Sequence, residues 1–147
     1  MSARGRILAI DFGTKNIGLA VSDPLGLTAQ PLAPLRRSNR RADLAHISEL
    51  VEAMQVERVV VGYPLHLKGY AGTRAQQAER FAQRLRDALP VPVELFDERL
   101  TSVEANRLLD EVGASRNRRR RAADQIAAQL ILQTYLDRQA VREAAKP

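Results

Sequence analysis

The chain has 147 residues, a length typical of one folding unit, so we predict a single domain over residues 1–147. It contains no cysteine and only two histidines, which excludes disulfides, thiol nucleophiles and metal sites built on cysteine or histidine; a bound metal would be Mg²⁺ or Mn²⁺ on carboxylates. Its 45% hydrophobic content excludes general disorder, and its net charge of +6 favours a polyanionic partner.

The first elements in chain order are three extended segments. An apolar run at residues 6–11 predicts a buried strand, and residues 17–21 predict a second strand across a turn that contains glycine and asparagine. A third segment at residues 28–35 contains two prolines, which suits an edge strand. Together the three segments predict a small antiparallel meander.

The segments that follow alternate between helical and extended patterns. Apolar residues at three- and four-residue spacing predict helices that begin after Ser38 or Asn39, at residue 73 and at residue 122, and the last two of these end near residues 89 and 140. Short apolar runs at residues 59–61 and 91–96 predict two more strands.

A further helix is predicted over residues 102–112, because Thr101 and Glu104 have the spacing of a capping box and Gly113 would end it. The arginine-rich stretch from Gly113 to Arg121 is predicted to be either a flexible loop or a helix start. The element order is therefore βββαβαβαα, which predicts an α/β fold with a mixed five-stranded sheet flanked by helices on both faces.

Several acids stand where sheet sites are usually built. Asp11 ends the first predicted strand, Asp97 and Glu98 follow the fifth, and Asp124 lies near the start of the last predicted helix. Open α/β sheets form sites at the carboxyl ends of their strands, so these acids could meet. Simpler interpretations remain open, namely an Asx turn at Asp11, a capping bond from Asp97 or Glu98, and a favourable helix dipole at Asp124.

Carboxylates that lie close together need a neutralising cation. The like charges repel unless a cation neutralises them, and in this chain the cation would be Mg²⁺ or Mn²⁺. Two such ions about 4 Å apart can activate a water and stabilise the leaving oxygen in phosphodiester hydrolysis.

Twenty of the 23 basic residues are arginines, whose guanidinium groups suit contacts to phosphate, although a genome rich in arginine codons would explain the same excess. One cluster contains Arg36, Arg37, Arg40 and Arg41, and whether it is functional stays open. The other cluster, Arg116 with Arg118 to Arg121, lies beside Asp124, and we favour it as a nucleic-acid contact. The candidate nucleic-acid-binding residues are Lys15, Arg99, Arg116, Arg118, Arg119, Arg120 and Arg121.

Four stretches give a specific resemblance: ILAIDFGTKNIGLAVSD (residues 7–23), VVVGYPLHLKG (59–69), FDERLTSVEA (96–105) and ADQIAAQLILQTYL (123–136). They resemble the YqgF/RuvX family of bacterial RNase H-like proteins, described as pre-16S rRNA nucleases and Holliday junction resolvases. The resemblance implies the RNase H-like fold. By position it implies that Asp11, Glu98 and Asp124 are the catalytic acids and ligands of Mg²⁺ or Mn²⁺.

The resemblance is not complete. In the loop after the fourth strand, His66 stands where the family has an amide and Lys68 where it has an acid, and a role for His66 stays open. The lysine- and glycine-containing approach to the last acid is replaced by Arg118 to Arg121.

We predict a metal-dependent nuclease of the cytoplasm that acts in processing the 5′ end of pre-16S rRNA. The first alternative is a Holliday junction resolvase, which would act as a homodimer because resolution needs two symmetric cuts. A non-catalytic nucleic-acid-binding factor is the second. The motif DFGTKNIG at residues 11–18 also resembles the phosphate loop of actin-like ATPases and sugar kinases, but one domain without a repeat cannot enclose a nucleotide as they do. No membrane partner is expected, because the apolar run near the N-terminus is too short for a signal peptide or a span.

Overall fold

The structure is a computed structural model that describes residues 5–64, 71–98 and 116–145, with the backbone alone for residues 116–125 and 145. Its strands are β1 (Arg6–Phe12), β2 (Asn16–Ser22), β3 (Ala29–Arg36), β4 (Val56–Tyr63) and β5 (Val93–Asp97). Its helices are α1 (Arg40–Ala53), α2 (Thr73–Ala88) and α3 (Arg116–Ala145).

Within the described residues the strands form one five-stranded sheet in the order β3-β2-β1-β4-β5. The first three strands are an antiparallel meander, and β4 and β5 pair in parallel with β1 and with each other. The predicted mixed sheet is therefore confirmed. Because β1 lies in the centre, its carboxyl end emerges beside the ends of β4 and β5, at one edge of the sheet.

Alternation along the strands sends side chains into two separate cores. On the face that we call the α1/α2 face, Leu8 and Ile10 of β1 pack in one cluster with Ile47 of α1 and with Phe81 and Leu85 of α2. On the opposite α3 face, the cluster is formed by smaller strand residues and by α3: Ala9, Ala20, Ala29, Val60, Ala128, Ile131, Leu132, Tyr135 and Leu136. Helices therefore cover both faces, as the alternating pattern predicted.

Most boundaries agree with the sequence within two residues, and α1 is capped by the side chain of Asn39, which accepts a hydrogen bond from the Ala42 backbone N–H. β4 is longer than predicted, because its pairing with β1 begins at Val56 and includes the polar residue Arg58. β5 begins only at Val93, after Pro92, whose ring removes the N–H that a ladder requires.

The last helix corrects a prediction. The pattern placed its start at residue 122, with a loop or a helix start before it, whereas α3 is helical from Arg116 and continues to Ala145. The physical reason is that arginine is a good helix former, so the helix extends through residues that carry no apolar period. The predicted helix at residues 102–112 lies outside the described residues.

None of the helices in the described ranges has the length and apolar character needed to cross a membrane. The single domain over residues 1–147 stays a prediction.

Candidate active site

The site is built around Asp11, one residue before the end of β1. Asp11 follows Ala9 at a spacing of two and therefore lies on the α3 face. Its partner across the sheet is Gly18 of β2, and the pairing of β1 with β4 ends one residue earlier, at Ile10. The Asp11 side chain is only 9% exposed. A buried carboxylate at the end of a central strand requires a partner, because burial disfavours its charge.

Glu98 supplies that partner. It follows β5 directly, and β5 lies in register with β4 so that Phe96 is opposite Gly62. The Glu98 carboxyl group is hydrogen-bonded to Asp11. Burial raises the pKa of Glu98 to about 9, and the charge of Asp11 and the hydrogen bond from Glu98 to it contribute to the rise. At neutral pH the Glu98 carboxyl group therefore keeps its proton, which it donates in the hydrogen bond to Asp11.

The structure distinguishes Glu98 from its neighbour Asp97. Because successive residues of a strand face opposite sides, Asp97 continues the side of Leu95, which packs against the α1/α2 core. Its charge raises the pKa of Glu98 only as the last and smallest of several causes. Of the two acids, Glu98 makes the hydrogen bond to Asp11.

Two residues near Glu98 were missed by the sequence analysis. Gly62 of β4 faces both Glu98 and α3: a Cβ on Gly62 would lie 2.7 Å from the Ile131 Cδ1 atom and 2.9 Å from the Glu98 Cδ atom. A glycine inside an apolar strand often marks such a close approach, so the run of valines before Gly62 carried a usable signal. Arg74, in the first turn of α2, lowers the pKa of Glu98 through its charge. No sequence signal distinguishes Arg74 from other arginines of α2.

Asp124 lies within α3, and its side chain is outside the described residues. Because the helix begins at Arg116, Asp124 is more than two turns from the N-terminus, and the helix dipole acts only within the first turn. The dipole therefore does not explain an acid there. Asp124 precedes Ala128 by four residues and Ile131 by seven, so its backbone position is in line with two residues that pack on the sheet.

Of the basic candidates, only Lys15 has a side chain within the described residues. Lys15 is in the turn between β1 and β2, next to the end of β1, and its side chain is exposed. The backbones of Arg116 and Arg118 to Arg121 form the first turns of α3, and their side chains lie outside the described residues, as do Arg99, His66 and Lys68. Their roles stay predictions.

The donor set can be compared with the metal that the sequence predicts. Among the side chains that the structure describes, no three histidine, aspartate or glutamate residues form a group that could hold an ion. The two that are together, Asp11 and Glu98, offer oxygen atoms in a buried place, and a divalent cation could take over the neutralisation of charge that the Glu98 proton provides. The pair therefore fits Mg²⁺ or Mn²⁺ as two of the ligands.

Comparison with known proteins identifies the family. The profile described as "RuvX: Holliday junction resolvase" matches residues 5–138. The chain belongs to the RuvX family.

Relatives within the family are similar over nearly their full length. A protein of Koribacter versatilis is 48% identical over 140 residues, which cover 95% of this chain and 92% of that protein. One from Moorella thermoacetica is 52% identical over 133 residues, covering 90% of this chain and 95% of that protein. Both carry the name "Putative pre-16S rRNA nuclease".

Solved structures agree on the fold. Thermus thermophilus RuvC, in a complex with a Holliday junction substrate, superposes with a TM-score of 0.58 at 16% identity, over 93% of this chain and 97% of RuvC. The fowlpox virus Holliday junction resolvase gives a TM-score of 0.54 at 15% identity, over 90% and 99% of the two chains. The RNase H-like fold that the sequence resemblance implied is confirmed.

Proposed function

We propose that this member of the RuvX family is a metal-dependent nuclease that hydrolyses phosphodiester bonds and acts in processing the 5′ end of pre-16S rRNA. The observation that carries the proposal is the buried pair of Asp11 and Glu98 at the carboxyl edge of the sheet. It stands in a chain whose relatives at 48% and 52% identity are named for that activity. The same function predicts a cytoplasmic protein, because ribosomes are assembled in the cytoplasm of bacteria.

The cation in this proposal is Mg²⁺ or Mn²⁺, with two ions expected. When bound, it supplies Lewis-acid stabilisation of the charge that develops on the phosphate and lowers the pKa of a water molecule. Asp11, Glu98 and Asp124 are the residues that would hold it, and Asp124 joins the set on the strength of its position in α3.

The residues of the proposed site have separate roles. Asp11 and Glu98 provide the negative charge, and Glu98 must give up its proton when the cation binds. Gly62 leaves the space in which the Glu98 carboxyl group lies. The positive charges of Lys15, Arg99 and the arginines at the start of α3 attract the phosphate backbone of the substrate.

The decisive experiment compares cleavage of a fragment containing the 5′ end of pre-16S rRNA with cleavage of a four-way DNA junction, each with Mg²⁺ and with Mn²⁺. Asp11→Asn and Glu98→Gln should each lower the cleavage rate by about 1000-fold or more, because each removes a charged ligand, an effect of about 4 kcal/mol on the barrier. Binding of the uncut nucleic acid should persist in both variants.

Two matched variants control for general loss of charge or of fold. Asp97→Asn removes the acid next to Glu98, and Glu52→Gln removes an exposed acid of α1. Both should keep most of the activity. Cleavage that survives Asp11→Asn would indicate a contaminating nuclease, and binding without cleavage under every metal condition would favour a non-catalytic binding factor.

A second candidate is resolution of Holliday junctions, which the description of the family model favours. That reaction needs two symmetric cuts and hence a homodimer that presents two sites. Sedimentation of the protein with and without junction DNA tests it. A dimer that cuts the junction symmetrically and leaves the rRNA fragment intact would replace the first proposal by the second.

A further inference from the structure

We infer that a groove beside the turn between β1 and β2 binds backbone phosphates of the nucleic acid whose scissile bond lies at Asp11 and Glu98. This inference rests on the proposed function and extends the contact proposed at Lys15 to a groove that includes Arg36. The groove, which we call the hairpin groove, has a volume of about 860 Å³. It is lined by Thr14, Lys15, Asn16, Arg36, Arg37 and Ser38.

The register of the strands places Arg36 on the same face of the sheet as Asp11. Asp11 is opposite Gly18 on β2, and Arg36 is opposite Asn16 on the same strand. Asn16 and Gly18 are two residues apart and therefore share a face, and residues opposite each other across a pair of strands share it too. Asp11 and Arg36 therefore lie on the same face and at the same end of the sheet.

The distance suits a neighbouring part of the same strand. Two strand spacings of about 4.8 Å and two residue rises of about 3.3 Å separate the Cα atoms of Asp11 and Arg36, which gives roughly 12 Å. A nucleic-acid strand carries one phosphate per about 3.4 Å of duplex axis. Arg36 is thus close enough to contact a phosphate within a few nucleotides of the scissile one.

Arg37, by contrast, is used to build the groove. Its Nη1 atom donates hydrogen bonds to the carbonyl oxygens of Gly13 at 3.1 Å and Thr14 at 3.2 Å. Its guanidinium carbon lies 4.2 Å from the centroid of the Phe12 ring, and its backbone N–H donates to the Lys15 carbonyl. These contacts hold the turn against the end of β3, so Lys15 projects from a fixed backbone.

The charges of Lys15 and Arg36 are available to a ligand. Both side chains are exposed, and in the described part of the chain no carboxylate forms an ion pair with either of them. Arg40 and Arg41 add positive charge in the first turn of α1, where the helix dipole is already positive, while the acid of that turn, Asp43, is buried and accepts a hydrogen bond from the Ser38 N–H. Cations collected at a helix N-terminus repel one another, and a polyanion bound nearby would relieve that repulsion.

The test measures binding in the Asp11→Asn background, in which the nucleic acid stays uncut. The double variant Lys15→Gln with Arg36→Gln is compared with its parent on two fluorescein-labelled probes, the pre-16S rRNA fragment and the four-way DNA junction. At about 50 mM salt the affinity should fall by about ten-fold. The slope of log K against log salt concentration should decrease by about 1.4 to 1.8, as expected for two lost phosphate contacts.

A matched control removes two arginines on the other side of the sheet. Arg80→Gln with Arg84→Gln takes the same charge from α2, which packs on the α1/α2 face, and should leave the salt slope within error of the parent. Arg36→Lys, which keeps the charge, should restore most of the affinity lost with Arg36→Gln. An affinity and slope in the Lys15/Arg36 variant equal to those of the α2 control would overturn the inference.

The two proposals fail in distinguishable ways. If the wild type never cleaves but the Lys15/Arg36 variant loses affinity and slope, the groove stands and the nuclease proposal fails. If the wild type cleaves and the variant binds like the α2 control, the nuclease proposal stands and the groove fails. In the cleaving enzyme the groove variant should lower kcat/KM by about ten-fold and leave kcat at saturating substrate unchanged, because its contacts are the same in ground and transition states.

Discussion

The two faces of the sheet are made by the same strands, yet they are filled by side chains of different size. Towards α1 and α2, the strands present large aliphatic residues such as Leu8, Ile10 and Leu19. Towards α3, they present Ala9, Ala20 and the bare backbone of Gly62. One face is thus a conventional aliphatic core, whereas the other is a close helix–sheet contact that ends in a polar site. Small residues on the α3 face let the helix approach, and the same alternation brings Asp11 to that face.

The largest expected effect on stability is on the α1/α2 face. Ile10→Ala removes a fully buried side chain and should lower the free energy of unfolding by about 2–5 kcal/mol, from lost burial and the cavity left behind. Its neighbour on the other face, Ala9→Gly, should cost about 1 kcal/mol, mostly through backbone entropy. Denaturant unfolding measures both. Equal losses would mean that the two faces do not differ as described.

The next effect separates activity from stability at Gly62. Gly62→Ala should lower cleavage by about 100-fold, equivalent to about 2.7 kcal/mol, because the new Cβ displaces the Glu98 carboxyl group. The loss of stability should be smaller, since the Ile131 side chain can turn away.

Ile131→Val, added to Gly62→Ala, removes the Cδ1 atom that the new Cβ would approach. It should recover stability in denaturant unfolding while leaving the cleavage rate low. Full cleavage activity in Gly62→Ala alone would show that Glu98 tolerates the Cβ.

A third prediction concerns the closeness of α3 to the sheet. Ala128 is fully buried in the α3 core, so Ala128→Leu should overpack that contact and lower the free energy of unfolding by about 2 kcal/mol. Leucine is a good helix former, so helix propensity does not account for the loss. Ala140→Leu, at an exposed position of the same helix, should be nearly neutral in the same unfolding measurement. Similar losses at both positions would contradict the close contact.

The smallest effect lies outside both cores, at Asp23 in the loop between β2 and β3. The backbone N–H of Thr28 lowers the pKa of Asp23 most, and the N–H groups of Leu27 and Leu25 lower it further. Since the folded-state pKa lies below that of the unfolded chain, the stabilisation is present at neutral pH and is lost as the pH falls from about 3.8 through the folded-state pKa.

Asp23→Ala should therefore lower the free energy of unfolding by about 1 kcal/mol at neutral pH, and the difference from the wild type should shrink at acidic pH. Asp23→Asn keeps a neutral acceptor and should show a smaller loss at neutral pH. Denaturant unfolding at several pH values makes the measurement. A difference in unfolding free energy that grows as the pH falls would contradict the predicted direction of the pH dependence.

Much of the fold could be predicted because its signals are local. The apolar run that ends at Asp11, the two prolines of β3 and the cap at Asn39 act within a few residues, and the corresponding elements appear where they were expected. The start of α3 was predicted six residues too late, because arginine continues a helix without leaving a hydrophobic period. The contact between Asp11 and Glu98 could be predicted from the strand ends and from the family resemblance. The effect of Arg74 on Glu98 and the closeness of Gly62 to Glu98 could not, because they depend on packing between elements distant in sequence.

By itself the sequence determined the type and order of the elements, the position of an acid at the end of the first strand and the restriction of any metal to carboxylate oxygens. These are consequences of periodicity and composition. Only the tertiary structure decided that Gly62 makes room for Glu98 and that Arg36 shares a face with Asp11. The physical reason is that the pleat, the register and the approach of α3 set which side chains meet, and all three depend on pairings between segments far apart in the chain.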